Sequence, residues 1–366
     1  MRRGHFAAFA PLCPRCIRAG DGSHRLVLAQ ASQEQDDDVL AGILHCSNAA
    51  CRLEYPIIDG IPVIVPELRT MLAEHAVELL LRNDLDPALE SLMGDAIGPG
   101  TWFDVLRQTV STYAWDGWAD LDPAETAPAE GMPPPGAGRR CLARLLEMAG
   151  PAAPTRVVDC GCGGGRTAFD LAERYAEALV LGIDLSPSLL RLGRDAMQGR
   201  MRYPRRRIGL VYDRRDFPVC LPGTKRVDFW ACDAMALPFA AGSADLAVAL
   251  NLLDCVSEPR QLLAGLARLA RRGGRVLLAT PYDWSTRATP METWIGGHSQ
   301  RAEHAGAAEQ FLRALLTEGA HPQSVPGVRL LAEQADFPWH TRLHARSTVL
   351  YRAHLLALEA IGPRQD

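Results

Sequence analysis

The sequence has almost no lysine. Lys225 is the single one, and the other basic residues are all arginine. Arginine clusters therefore say less here than usual, because they follow a bias of the whole chain. Net charge is low as well, at −4, so nothing global points to nucleic acid or to an anionic membrane. No run of about eighteen apolar residues occurs, and no transmembrane helix is expected. The opening "MRRGHFAAFAPLCPRC" is too short and proline-broken for a secretory segment and shows no small-residue cleavage site. A cytoplasmic location is therefore expected, with no membrane partner. In that compartment the ten Cys read as metal ligands or buried thiols, not disulfides.

What is present is ordinary globular composition, 48% hydrophobic over 366 residues, enough for about two domains. The Cys fall unevenly. Cys13, Cys16, Cys46 and Cys51 form C-x2-C and C-x4-C pairs in the first stretch, a spacing that suits tetrahedral zinc. Four thiolates close the site, so the zinc is expected to be structural. A unit this small has little core, and metal binding would supply folding energy. The other six Cys read as small core residues.

Three segments are expected: a zinc ribbon over 1–66, a helical connector and linker over 67–135, and the main domain over 136–366. In the first, "RLVLAQ" and "AGILHC" read as strands around the polar loop or hairpin "QASQEQDDD". "ELRTMLAEHAVELLLR" and "TWFDVLRQTVSTYAWDGWA" have helical spacing, and "PAETAPAEGMPPPGAG" reads as a linker. From Arg139 helix and strand alternate, with apolar strands in "RVVDCG", "ALVLGIDLS", "VDFWACDA", "ADLAVALNLL" and "GRVLLATPY". That pattern predicts an α/β fold with a doubly wound, mostly parallel, Rossmann-like sheet.

"CPRC…CSNAACRLEYPIIDGIPVIVP" resembles the small zinc-ribbon activator family that partners tRNA, rRNA and protein methyltransferases. Large-subunit rRNA guanine methyltransferases carry a similar ribbon, usually with a His where this chain has Cys51. Further along, "RVVDCGCGGGRTAF" gives D-x-G-x-G-x-G between a strand and a helix. A nicotinamide-type loop would need Gly at 166, which is Arg166. The pattern resembles the S-adenosyl-L-methionine loop of class I methyltransferases. The resemblance implies cofactor contacts from Asp159, Gly161, Cys162 and Gly163. It places Asp184, with Leu185, on the ribose, Asp233 and Ala234 at the adenine, and Asn251 near the sulfonium. All of these lie at carboxyl ends of expected parallel strands, where such sheets bind ligands.

"TPYDWSTRATPMETWIGG" follows the fifth strand and is expected to line the acceptor pocket. Tyr282 and Asp283 are the candidate catalytic residues, and Trp284, Glu292 and Trp294 the candidate substrate contacts. Tyr113, Trp115 and Trp118 could cap the pocket, or belong to the core of their helix. "NLLDCV", "PYDW", "FPWHTRLHARSTVLY" and "TVSTYAWDGW" together resemble the mercaptohistidine N-methyltransferase domain of ovothiol biosynthesis, across about residues 101–360. The resemblance implies methylation of an imidazole nitrogen on a small molecule. The alternative is an RNA methyltransferase, with the ribbon and the run "RYPRRRIGLVYDRRD" as grip. That run also reads as a solvated insertion. His298 is a weak candidate base, and "HTRLH" reads as a closing strand without a metal site.

Overall fold

The computed structural model describes residues 1–75, 78, 91, 94–126 and 131–362. In the first segment two apolar runs meet at Asp59-Gly60. Both residues have positive φ, 52° and 76°, as a tight hairpin turn requires. This turn joins β3 (Glu54–Ile58) to β4 (Ile61–Ile64). Ahead of them β1 (Leu26–Gln35) and β2 (Asp38–Cys46) form a longer hairpin. The stretch "QASQEQDDD", expected as a polar loop or hairpin, is the tip of this hairpin, with Asp36 and Asp37 in the turn and strand on both sides.

The main domain follows the expected alternation. In chain order its strands are β5 (Arg156–Cys160), β6 (Leu179–Asp184), β7 (Arg200–Ile208), β8 (Val211–Pro218), β9 (Val227–Cys232), β10 (Ala244–Leu250), β11 (Ala270–Thr280), β12 (Val328–His344) and β13 (Ser347–Ala360). β7 and β8 pair only with each other; the rest form one sheet with the ribbon strands, in the order β1-β2-β3-β4-β9-β6-β5-β10-β11-β13-β12. The five strands β9, β6, β5, β10 and β11 are parallel, and β13 runs antiparallel beside β11. β9 and most of β10 are buried on both faces, as parallel strands covered by helices must be.

The ribbon does not stand apart. β4 pairs parallel with β9, Val63 opposite Ala231 and Ile64 opposite Cys232. Phe9 of the ribbon packs within about 6 Å, centroid to centroid, of the rings of Trp230 and Phe239. Across the same seam Arg194 reaches both Asp38 and the fully buried Asp228.

Of the helices, α1 (Leu68–Glu74) covers only the start of the expected run from Glu67 to Arg82. Apart from Glu78, residues 76–82 lie outside the described residues. α2 (Trp102–Trp118) matches its prediction and starts on the hydroxyl cap of Thr101. Trp115 and Trp118 are buried along it. α3 (Ala137–Ala149) begins where the three backbone N–H groups of Gly136, Ala137 and Gly138 all point at the Asp116 carboxylate. α4 (Arg166–Arg174) and α5 (Pro187–Met197) follow β5 and β6. No helix among the described residues is long and apolar enough to cross a membrane.

Candidate active site and metal centre

The parallel strands end at one rim, and a cavity of about 680 Å³ opens there. All nine residues expected to hold the cofactor line it. The glycine loop after β5 is what lets a ligand approach the backbone. Gly165 has φ +82°, and a Cβ there would fall 2.5 Å from the Phe229 ring. Gly163 has φ +53°, with the Tyr113 ring next to the position a Cβ would take. Tyr113 thus leaves α2 to lie over the loop and lines the cavity.

Each acidic group at this end has a distinct setting. Asp184 accepts the N–H of Gly163 at 3.0 Å and of Ser186 at 2.9 Å, which fixes it against the loop. Its pKa is raised by burial, with the nearby Glu78 adding to the effect. Asp159 is 1% exposed and accepts only the Thr167 hydroxyl, at 2.5 Å. Burial pushes its pKa up to about 7, and the Asp184 and Asp170 charges add to the rise. No positive group among the described residues offsets it. Asp233 caps the short turn Ala234–Ala236 through the N–H of Met235. Asn251 sits at φ +51°, and its Oδ1 is buried with no hydrogen-bond partner.

The other end of the cavity is built from distant segments. Asp254, three residues past Asn251, is 2% exposed. Its Oδ2 accepts the N–H of Asp283 at 2.7 Å, and its Oδ1 has no partner. Asp283 Oδ2 accepts the hydroxyl of Tyr351 at 2.9 Å. Trp339 and Thr341 of β12 and Tyr351 of β13 complete this wall. None of the four residues Asp254, Trp339, Thr341 and Tyr351 was singled out from sequence. Asp254 was readable, as the second polar group at the same strand end as Asn251. The two arginines on the cavity wall are both committed to carboxylates. Arg139 bonds Asp170 and Asp120, and Arg166 bonds Asp120.

The aromatic loop behaves differently from its expected role. Of the five candidates in it, only Asp283 lines this cavity. Trp284 and Trp294 stack on each other at 5.9 Å and 15°. Glu292 lies exposed in a short turn. Tyr282 turns away at φ +56° and meets Nδ1 of buried His354 at 2.7 Å. The cause is Thr289. It is fully buried, and its hydroxyl lies 3.0 and 2.8 Å from the carbonyls of Asp254 and Val256, which folds the loop back onto that segment. His298 is exposed and off the cavity wall.

At the ribbon, the Sγ atoms of Cys13, Cys16, Cys46 and Cys51 all lie within 4.8 Å of one another. Cys13 to Cys51 is 3.9 Å and Cys16 to Cys46 is 3.7 Å. A tetrahedron with zinc–sulfur arms of about 2.3 Å has edges of about 3.8 Å, so the four thiols have the shape of a metal site. The N–H of Asn48 points at Cys46 Sγ and the Tyr55 hydroxyl sits 3.1 Å from Cys13 Sγ, supports of the kind that orient ligands.

The arginine run forms the hairpin β7–β8, and most of its charges are paired with carboxylates, while Arg206 donates to the Gly209 carbonyl. Arg200 and Arg202 bond Asp216, Arg205 bonds Glu125, Arg207 bonds Asp213 and Arg215 bonds Asp122.

The strand order, the single antiparallel strand beside the parallel set and the glycine-loop cavity at the carboxyl rim define a class I, Rossmann-like methyltransferase fold. A model of the methyltransferase domain family matches residues 158–278, which span β5 to β11. A malonyl-[acyl-carrier protein] O-methyltransferase of Laribacter hongkongensis is 35% identical over 35% of this chain and 38% of its own length. The methyltransferase GfsG of Streptomyces halstedii is 30% identical over 51% of this chain and 63% of its own. The chain thus spans less than two thirds of these curated relatives. A phosphoethanolamine N-methyltransferase of Haemonchus contortus, solved with S-adenosyl-L-methionine, covers 38% of this chain and 27% of its own at 22% identity. Its TM-score is 0.29, too low to carry an argument.

Proposed function

We propose that the chain is an S-adenosyl-L-methionine-dependent methyltransferase that N-methylates an imidazole or amine of a small molecule resembling mercaptohistidine. The cofactor reading is supported by the chemistry of the cavity's donor set. The buried carboxylates of Asp159, which no positive group among the described residues offsets, and of Asp184, with the orphan Oδ1 of Asn251, suit a ligand that carries positive charge, N–H donors and vicinal hydroxyls. Asp184 and Leu185 would hold the ribose. Asp233 and Ala234 would hold the adenine, and the 161–163 backbone with Asn251 the methionyl end. When bound, the cofactor supplies a methyl group already activated by its sulfonium. The chain then has to align the acceptor and take a proton.

One observation carries the acceptor reading. The acceptor end presents Asp254 and Asp283 with aromatic walls, and both arginines on the cavity wall are already paired. A carboxylate acceptor would meet two like charges there and no free cation. A protonatable nitrogen would meet attraction, and the faces of Trp339, Tyr351 and Tyr113 favour it further. This argues for nitrogen over the oxygen acceptor in the name of the Laribacter relative. With most arginines of β7–β8 paired to carboxylates, that hairpin lends the RNA alternative little support.

We also propose that Tyr113 and Asp283 contact the acceptor, and that the four-Cys centre holds a structural zinc that keeps 1–66 docked on β9. The segments 67–135 and 136–366 would then serve as connector and catalytic domain. The test is a methyl-transfer assay with labelled cofactor, offering mercaptohistidine, histidine derivatives and total RNA side by side. Label on an imidazole or amine is expected. Label on RNA alone would overturn the reading.

A further inference from the structure

The buried Asp254 does more than the acceptor reading above requires. Its carboxylate is almost fully enclosed, yet its two oxygens are treated differently. Oδ2 is held by the Asp283 N–H at 2.7 Å, while Oδ1 makes no hydrogen bond to another residue. A buried acceptor atom without a partner costs about 1–3 kcal/mol unless a ligand group satisfies it. The backbone of the segment that carries it is anchored as well. The Asp254 carbonyl is held by Thr289, and the same hydroxyl ties down Val256. Asp254 lines the same cavity as Asn251 and Asp283.

We propose that Asp254 Oδ1 is the proton acceptor of the methyl-transfer step. The inference rests on the assignment of this cavity to methyl transfer. The acceptor nitrogen forms the new N–C bond as the methyl–sulfur bond breaks, with sulfur keeping the bonding pair. The N–H bond then gives its proton to Oδ1 and leaves its electron pair on nitrogen. Charge balances, since the sulfonium's positive charge is cancelled as the carboxylate is neutralised.

The groups facing Asp254 are Asp283 from the loop after β11, Tyr282 beside it, Tyr351 of β13, Tyr113 of α2 and the neighbouring Cys255. None is positive. Burial and the Asp283 charge both raise the pKa of Asp254 above the ordinary carboxylate value, which brings it closer to that of a protonated imidazole. The carboxylate form is the active base, so the rate should fall as pH drops through that raised value.

The experiment compares wild type with Asp254→Asn on full-length protein between pH 5 and 9. It uses mercaptohistidine and histamine as probes and runs the same profile on any other acceptor the wild type labels. Asparagine keeps the shape and can still accept the Asp283 N–H. Calorimetry with S-adenosylhomocysteine and a thermal unfolding scan check the fold and cofactor end separately. The expected result is a loss of about 10²-fold or more in kcat, disappearance of the acid limb beyond that set by protonation of the acceptor itself, and unchanged affinity for S-adenosylhomocysteine. Asp254→Glu should restore part of the rate and the limb. If Asp254→Asn keeps the wild-type rate and limb, the proposal is overturned. If wild type labels only an oxygen acceptor, the nitrogen reading falls, while loss of the limb on that acceptor still supports Asp254 as the base.

Discussion

The two ends of the cavity are built by different means. At the cofactor end, consecutive residues at four neighbouring strand termini do the work, and much of the contact surface is backbone. At the acceptor end, single side chains arrive from α2, from the turn after β10, from the loop after β11 and from both strands of the final hairpin. A backbone-built end allows little variation, because a side chain added at Gly165 meets the Phe229 ring. An end built from separate side chains can change its ligand one residue at a time. Relatives that share the first end therefore say little about the second.

The sharpest test of this contrast is Asp184→Ala. It removes a carboxylate from the cofactor end and should weaken S-adenosylhomocysteine binding by about 2–3 kcal/mol, or roughly 100-fold, in calorimetry. Unchanged affinity would break the assignment of the two ends. Next in size is the ribbon. Because β4 pairs with β9, whose last residue precedes Asp233, losing the metal should loosen the cofactor end. Cys46→Ser, or chelation, is expected to release one zinc per chain, lower the unfolding midpoint and weaken cofactor binding about tenfold. An unchanged midpoint would detach the ribbon from the comparison.

A pH series sharpens it further. Asp159 is raised to about 7 when no cation is bound. A raised carboxylate stabilises the fold fully below its unfolded value near 4, and that contribution is lost as pH rises through about 7. A cationic ligand prefers the carboxylate form, so affinity should climb up to tenfold per unit between pH 5 and 7 and then level. Asp159→Asn should flatten the curve. The smallest effect expected is Trp339→Ala. It should raise the acceptor KM about tenfold while cofactor affinity stays within about twofold. Equal effects on both would mean that the two ends are one site.

The proposed cofactor end is legible in the sequence because its elements are local. Asp159 to Gly165 is one strand–turn–helix unit, and Asp184, Asp233 and Asn251 each follow an apolar run that announces its strand. The four-Cys cluster was legible for the same reason, as two short Cys pairs. The acceptor end was not. Trp339, Thr341 and Tyr351 lie on strands of 17 and 14 residues whose register shifts between Gln334 and Phe337 and again between Arg342 and His344. Alternation along such strands cannot show which side chains face the cavity. Trp284 and Trp294 misled for a related reason. Aromatic content marks a packed loop, but the anchor that decides its facing is Thr289, a small residue bound to a segment more than thirty positions earlier.

The pairing of β4 with β9 also sets an order of events in time. β4 ends at Ile64, and its partner begins at Val227, more than 160 residues later. During synthesis at about 5–20 residues per second, the ribbon waits roughly ten seconds or more for the edge it will join. Through that interval its strand β4 is an open template, and contacts so distant in sequence form slowly. Four thiols that close on a metal before the partner exists would keep the ribbon folded while it waits. A centre filled that early would matter most before the sheet is complete.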